Sequence, residues 1–155
     1  MKLIEKFVDF SLTAFIVVMV ISSTATFSFL PMQIAEAQQR TGNLTAPSNG
    51  NPFGGEEKGT VTINTDGYTA NITAKMNSSP SDDNVFEGWL VDAGGSGYQL
   101  SLGQFSPNGT LTFKQYMVNP YTYKQFVVTE EPADDPDPNA ASSVAGFELQ
   151  DPFGE

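Results

Sequence analysis

From residue 59 onward the chain alternates short runs of apolar and polar residues with turn-forming residues. In 68–76 (YTANITAKM) every second side chain from Tyr68 to Ala74 is apolar or aromatic. A period of two places these side chains on one face of a β-strand and the polar ones on the other. The run 59–64 (GTVTIN) predicts a partner strand, because Thr65-Asp66-Gly67 between the two runs is a hairpin turn signal.

Residues 86–113 predict three consecutive strands joined by two tight turns. The run 86–91 is nearly all apolar, which is typical of a strand that is covered on both faces. The turns at 94–97 (GGSG) and 106–109 (SPNG) contain the glycine, proline and asparagine that reversals favour. We expect the remaining strands to pair around this unit, which holds the only tryptophan, Trp89.

Two further strands are predicted at 123–130 and 144–149, which brings the total to about seven. Short strands with turn signals about every ten residues favour an all-β fold, an antiparallel Ig-like β-sandwich. We expect this sandwich to occupy residues 59–150, followed by a tail at 151–155. Residues 38–58 are rich in Gln, Asn, Gly, Pro and Ser without periodicity and predict a flexible linker.

Residues 1–37 have the features of a targeting segment that forms an N-terminal hydrophobic helix. Lysines precede an apolar run at 12–21, and Ala35-Glu36-Ala37 is a cleavage sequence of the A-x-A type. Cleavage gives a secreted protein. The charge-free stretch 10–30 is also about long enough to span a bilayer, so an uncleaved anchor is the alternative. Both hypotheses place the rest of the chain outside the cytoplasm, because the lysines precede the apolar run.

The amino-acid composition excludes several kinds of site and reaction mechanism. The net charge of −11 makes nucleic acid and anionic lipid poor partners. The absence of cysteine and histidine excludes disulfides, thiolate metal sites and mechanisms that need a histidine base. We therefore expect no enzymatic activity, no cofactor and no metal. A carboxylate-based enzyme is the least favoured of the functional hypotheses, because it needs a clustered pair of carboxylates with shifted pKa values.

A resemblance to a known family adds to this interpretation. The segments 89–92 (WLVD), 102–105 (LGQF), 126–132 (FVVTEEP) and 144–146 (VAG) follow one another in a familiar order. They make residues 86–146 similar to the extracytoplasmic C-terminal domain of anti-sigma-K factors. The resemblance implies an outer domain linked to sensing or regulation. We expect no counterpart of the cytoplasmic sigma-binding part of that family in the nine residues that precede the charge-free stretch 10–30.

Several residues are candidates for modification or binding. N-x-S/T sequons, which mark glycan acceptors in exported proteins, begin at four asparagines: Asn43, Asn71, Asn77 and Asn108. Two acidic segments, 81–84 and 130–137, contain closely spaced carboxylates; we favour solvated loops over Ca²⁺ sites because the spacing matches no established Ca²⁺ loop. Trp89 is expected in the core between the sheets. The aromatic group around 117–122 is expected to pack in the core, with sugar or partner binding as the alternative; it consists of Tyr116, Tyr121, Tyr123 and Phe126.

Two functions remain open. The first is a non-enzymatic, exported binding or sensing module that engages an unknown protein partner at the cell surface. The alternative is a structural surface subunit, a coat or filament protein, that assembles through exposed β-edges. The two differ in assembly state, since a module stays small and a subunit polymerises.

Overall fold

The structure, a computed structural model, describes residues 38–66, 68–117, 123–137 and 139–149. These residues form eight β-strands and contain no helix. The strands are β1 (Gln38–Thr45), β2 (Glu57–Thr65), β3 (Thr69–Met76), β4 (Asn84–Val91), β5 (Gln99–Gln104), β6 (Thr110–Tyr116), β7 (Gln125–Pro132) and β8 (Ser143–Glu148). The fold is therefore all-β, as the sequence predicts.

All eight strands belong to one antiparallel sheet in the order β5-β4-β7-β8-β1-β2-β3-β6, which curls into a nearly closed barrel. The sheet has two four-stranded parts. We call β5-β4-β7-β8 the β4 half and β1-β2-β3-β6 the β2 half. A single residue pair, Thr45 with Gly146, connects β1 to β8 and thus joins the two halves. On the opposite side of the barrel β5 and β6 do not pair with each other.

Alternation along the strands builds the interior. In β2 and β3 every second residue is buried, and these residues face those of β4, β7 and β8 across the barrel. The core includes the following fully buried side chains: Leu44, Val61, Ile72, Leu90, Phe126, Val128 and Leu149. The outer face of the β2 half is polar. Its middle row pairs Thr41 with Thr62, Thr62 with Thr73 and Thr73 with Thr112 across all four strands.

Two glycines let large core side chains approach the backbone closely. A Cβ at Gly42 in β1 would overlap the ring of Phe147, and a Cβ at Gly88 in β4 would overlap the side chain of Leu111. Leu111 belongs to β6 and Gly88 to β4, so the second contact brings the unpaired edge of the β2 half against the β4 half. Side-chain packing, rather than backbone pairing, closes this side of the barrel.

The architecture differs from the predicted Ig-like sandwich in two respects. The strands number eight, and they form one continuous sheet instead of two separate ones. The additional strand is β1, which lies inside the predicted flexible linker 38–58, so the linker prediction is wrong for residues 38–45. Its sequence, QQRTGNLT, has one large apolar residue, Leu44, and β2 supplies its pairing along the whole strand.

The three predicted central strands are all present, but they do not pair as one unit. Strands β4 and β5 pair as expected, but β6 pairs only with β3 on the other half of the sheet. The predicted N-terminal helix and its cleavage site, together with the tail at 151–155, lie outside the described residues. Among the described residues, no helix is long and apolar enough to cross a membrane.

Candidate functional site

The barrel has two ends with different surfaces. We call one end of the barrel the tyrosine end. The odd-numbered strands begin there and the even-numbered strands finish there. The register pairs Gln38 with Thr65 and Val91 with Gln125 there. The other end, which we call the acidic end, carries the loops 46–56, 77–83, 105–109 and 133–142.

At the acidic end, two loops that are distant in sequence lie side by side. Asn84 pairs with Pro132 where β4 meets β7, and the backbone N–H of Ala133 donates to the carbonyl of Asp83 at 3.0 Å. This contact brings five carboxylates into neighbouring loops: Asp82, Asp83, Asp134, Asp135 and Asp137. We call them the acidic patch. Asp83 has a φ of 64°, a left-handed conformation that Asp and Asn tolerate better than most residues.

The two glutamates of β7 fix these loops instead of belonging to them. Glu130 accepts hydrogen bonds from the backbone N–H of Ser81 at 2.7 Å and from Nδ2 of Asn84 at 3.1 Å. The hydrogen bonds from Ser81, and then that from Asn84, lower the pKa of Glu130 below its ordinary value. Glu131 is buried and accepts a hydrogen bond from the N–H of Ala141 at 2.9 Å. The predicted strand 123–130 is confirmed for Glu130, and it continues through Glu131 to Pro132.

The loop 133–142 also folds against the outer face of the β4 half. There Phe53, Trp89 and Val127 form a small buried cluster, against which Ala140 packs. The indole N–H of Trp89 donates to Oγ1 of Thr129 at 2.8 Å, a hydrogen bond inaccessible to solvent. Trp89 is thus buried as expected, but it lies on the outside of the sheet and not in the main core.

An open groove of about 550 Å³ lies beside this cluster. Its lining includes Trp89, Gln99, Ser101 and Asn139. The hydroxyl of Ser101 donates to Glu87, and Oε1 of Gln99 accepts from the N–H of Ala140 at 3.4 Å. These contacts connect strand β5 to β4 and to the loop 133–142, so the groove forms where this loop is attached to the sheet.

At the tyrosine end, the aromatic side chains divide into buried and exposed groups. Tyr123 is buried, and burial, with smaller contributions from Tyr98 and Asp92, raises the pKa of its phenol. Tyr68 and Tyr116 are 61% and 65% exposed and stack on each other with ring centroids 6.3 Å apart. The core prediction is confirmed for Tyr123 and Phe126 and wrong for Tyr116; Tyr121 lies outside the described residues.

Two aspartates shape the turns at this end. Oδ1 of Asp66 accepts from the N–H groups of Tyr68 and Thr69, at 2.9 and 2.6 Å. Oδ2 of Asp92 accepts from the N–H and the hydroxyl of Ser96, at 2.8 and 2.7 Å. These hydrogen bonds, that from Thr69 being the largest for Asp66 and that from Ser96 for Asp92, lower the pKa of both carboxyls.

The formal charges of the described residues are divided unequally between the ends. The part of each strand and loop nearest the tyrosine end carries three acidic and three basic residues: Asp66, Asp92, Glu148, Arg40, Lys114 and Lys124. The acidic end carries only two basic residues, Lys58 and Lys75. Its ten acidic residues are the acidic patch with Glu56, Glu57, Glu87, Glu130 and Glu131. The tyrosine end is therefore formally neutral, and the acidic end has a net charge of −8.

The four sequon asparagines all belong to the β2 half or to its loops. Asn43 donates from Nδ2 to Oε2 of Glu57 at 2.8 Å, and Asn71 is half-buried within β3. Asn77 and Asn108 are exposed at the acidic end. Their glycosylation stays a prediction. In the part of the chain that the structure describes, no group of three or more acidic side chains is arranged to hold a metal ion.

Sequence reasoning missed the acidic patch, because it treated residues 81–84 and 130–137 as two separate loops. The signal that joins them is the register of β4 on β7, which no local pattern specifies. Sequence reasoning likewise missed the concentration of exposed tyrosines at one end, which depends on the order of all eight strands.

Comparison with known families supports the resemblance. The family model described as "Anti-sigma-K factor rskA, C-terminal" matches residues 10–143, which is most of the chain. Comparison with curated proteins finds no significant match, and comparison with solved structures finds none either. The motifs on β4, β5 and β7 lie within the matched residues, whereas the motif 144–146 on β8 lies just beyond them. The chain belongs to the family of anti-sigma-K factor rskA C-terminal domains.

Proposed function

We propose that this chain is a non-enzymatic, exported regulatory module that binds a protein partner outside the cytoplasm. The observation that carries the proposal is the family match across residues 10–143, because anti-sigma factors are regulatory proteins that act by binding other proteins. The eight-stranded barrel agrees with a binding role, since loops on a rigid sheet are common positions for recognition residues.

The acidic patch is the surface that we assign to the partner. Its carboxylates are exposed, whereas Glu130 and Glu131 fix the two loops in place through hydrogen bonds to Ser81 and Ala141. A net charge of −8 at this end attracts a basic protein surface and accelerates encounter at low ionic strength. Because salt screens such attraction over about 10 Å at 0.1 M, the complex should weaken as the salt concentration rises.

The first experiment measures the size of the native particle after gentle release from the cell envelope. We expect a monomer or a small complex of fixed stoichiometry. The triple variant Asp82→Asn, Asp83→Asn and Asp134→Asn should lose the partner, because it removes three charges without changing the shape of the side chains. The loop hydrogen bonds accepted by Asp135 and Asp137 are kept in this variant, so the fold should tolerate the change.

The matched control is Glu148→Gln, which removes a carboxylate at the tyrosine end. At each salt concentration this variant should bind the partner as strongly as the unchanged protein does. A partner that stays bound to the triple variant, or that leaves both variants equally, contradicts the role of the acidic patch.

The second candidate is a structural surface subunit, and the unpaired edges of β5 and β6 favour it. Edge strands with free backbone N–H and C=O groups can pair with a strand of another molecule. A very large, homogeneous particle made only of this chain would establish the subunit and overturn the regulatory module.

A further inference from the structure

The exposed tyrosines of the described residues are all at the tyrosine end. The large hydrophobic side chains that are exposed there are Tyr68, Tyr98 and Tyr116, and no other large hydrophobic residue of the described chain is comparably exposed. Tyr68 and Tyr116 stack with an interplanar angle of 8°, so they form one exposed aromatic pair. Such a surface is costly in water unless something covers it at least part of the time.

The charge distribution restricts what can cover this surface. The tyrosine end is formally neutral, and the carboxylates of Asp66 and Asp92 accept hydrogen bonds within their own turns. The net charge of −8 is at the other end, about 20–30 Å away along strands that rise ~3.3 Å per residue. We therefore expect the tyrosine end to be covered by a surface that accommodates aromatic rings. That surface should lie away from the negative charge of the acidic end.

The path of the chain brings a membrane close to this end. Strand β1 begins at the tyrosine end with Gln38. Only seven residues, 31–37, separate β1 from the charge-free stretch 10–30. Seven residues reach at most about 25 Å when fully extended. If the stretch 10–30 remains as an anchor, the tether is attached at the tyrosine end and permits that end to rest on the bilayer, although the tether alone does not impose this orientation.

We propose that the tyrosine end docks on the surface of the lipid bilayer, with the stacked rings of Tyr68 and Tyr116 in the headgroup region. Tyrosine is enriched at membrane interfaces because its ring is apolar while its hydroxyl stays hydrated. The orientation holds the acidic patch away from anionic headgroups and presents it to the extracytoplasmic space. This inference rests on the proposed function in its anchored form, and it adds the face that meets the membrane.

The absence of cysteine makes the orientation measurable, because one introduced thiol is labelled uniquely. The matched pair is Ala93→Cys at the tyrosine end and Ala133→Cys at the acidic end. Each full-length variant carries a nitroxide label and is reconstituted in phosphatidylcholine vesicles that contain a lipid with a nickel-chelate headgroup. Paramagnetic relaxation should be enhanced several-fold more for the label at position 93 than for the label at position 133.

A second set of variants tests the tyrosines themselves. Tyr68→Ser with Tyr116→Thr should abolish the difference between the two labels, because the tether alone does not fix the orientation. Tyr68→Trp with Tyr116→Trp should restore it, since tryptophan also favours the interface. A difference that survives the first pair of substitutions overturns the role of the tyrosines.

Flotation of the vesicles separates this inference from the proposed function. A chain that fails to float with the vesicles contradicts the anchored form, and with it this inference. A chain that floats but shows equal relaxation at both labels overturns the docking alone. Broadening between labels at position 93 of two molecules, independent of the nickel lipid, would assign the tyrosine end to a second copy of the chain and overturn docking on lipid.

Discussion

The tyrosine end and the acidic end are built from the same eight strands, yet their surfaces have opposite chemistry. One end is formally neutral and carries the exposed aromatic rings of Tyr68 and Tyr116. The other has a net charge of −8 and joins two loops through the contact of Ala133 with Asp83. The comparison shows that amino-acid composition sets the net charge of the chain, whereas strand register determines at which end of the barrel the charged side chains lie.

The largest effects should come from the core that both ends share. Leu44 lies near the acidic end and Leu149 at the tyrosine end, and both side chains are fully buried. We expect Leu44→Ala and Leu149→Ala each to lower the free energy of unfolding by about 2–5 kcal/mol, because each leaves a cavity. Urea unfolding, followed by the fluorescence of Trp89, measures both.

Equal losses of unfolding free energy in Leu44→Ala and Leu149→Ala would mean that the two ends differ in surface chemistry alone. A loss below about 0.5 kcal/mol for Leu149→Ala, within the range of surface substitutions, would mean that the tyrosine end is loosely packed and would break the comparison.

A smaller loss of stability should come from changes in the cluster of Phe53, Trp89 and Val127, against which the loop 133–142 packs. Trp89→Phe removes the indole N–H and leaves Oγ1 of Thr129 buried without a donor, which should cost about 1–3 kcal/mol. Thr129→Val should cost a similar amount, and the double variant should cost less than the sum of the two. Thermal unfolding followed by circular dichroism completes the double-mutant cycle.

The same variants sharpen the comparison of the two ends. Because Ala140 packs against the Trp89 cluster, amide hydrogen exchange in the loop 133–142 should accelerate in Trp89→Phe. Exchange at the tyrosine end is the internal control and should not change. Acceleration at both ends would show that the cluster stabilises the whole barrel instead of one end.

The smallest effects concern pH. The folded-state pKa values of Glu130 at the acidic end and Asp66 at the tyrosine end are both lowered, so each stabilises the fold above its unfolded pKa. This contribution is lost as the pH falls from the unfolded pKa, about 4.3 for Glu or about 3.9 for Asp, through the lower folded pKa values. Glu130→Gln and Asp66→Asn should each reduce the loss of stability on acidification, measured as the urea midpoint at neutral and acidic pH.

Asp66 is exposed and Glu130 is only half-buried, so each effect should be small. High salt should change it little, because the partners are hydrogen-bond donors and not cations. An acid transition that is unchanged in both variants would assign acid sensitivity to other carboxylates. A change in Glu130→Gln alone would assign it to the acidic end.

Local patterns predicted most of the fold. Alternation identified β2, β3, β5 and β6, and the continuous apolar run identified β4, because these signals depend only on neighbours in sequence. Strand β1 was missed because Gln, Arg, Thr, Gly and Asn do not alternate with apolar residues. Its place in the sheet depends on Gly42, which leaves room for the ring of Phe147, and that contact links residues far apart in sequence.

The partners of the strands were harder to predict than the strands. The turn at 106–109 correctly indicated a reversal, with the N–H of Gly109 donating to the carbonyl of Ser106 at 2.8 Å. A reversal does not require the flanking strands to pair, however, and β6 pairs with β3 instead. The positions of the acidic patch and the exposed tyrosine pair depend on which strands pair, so local sequence patterns could not predict them.

The single backbone pair between Thr45 and Gly146 has a consequence for how the molecule opens. Separating the β4 half from the β2 half exposes the core to water but breaks pairing at only one position between β1 and β8. Opening along this seam therefore costs mainly apolar contacts, and both four-stranded sheets keep their own ladders. We therefore expect the first partly open state to consist of two intact four-stranded sheets with a hydrated interior, in which the other strand pairs are kept.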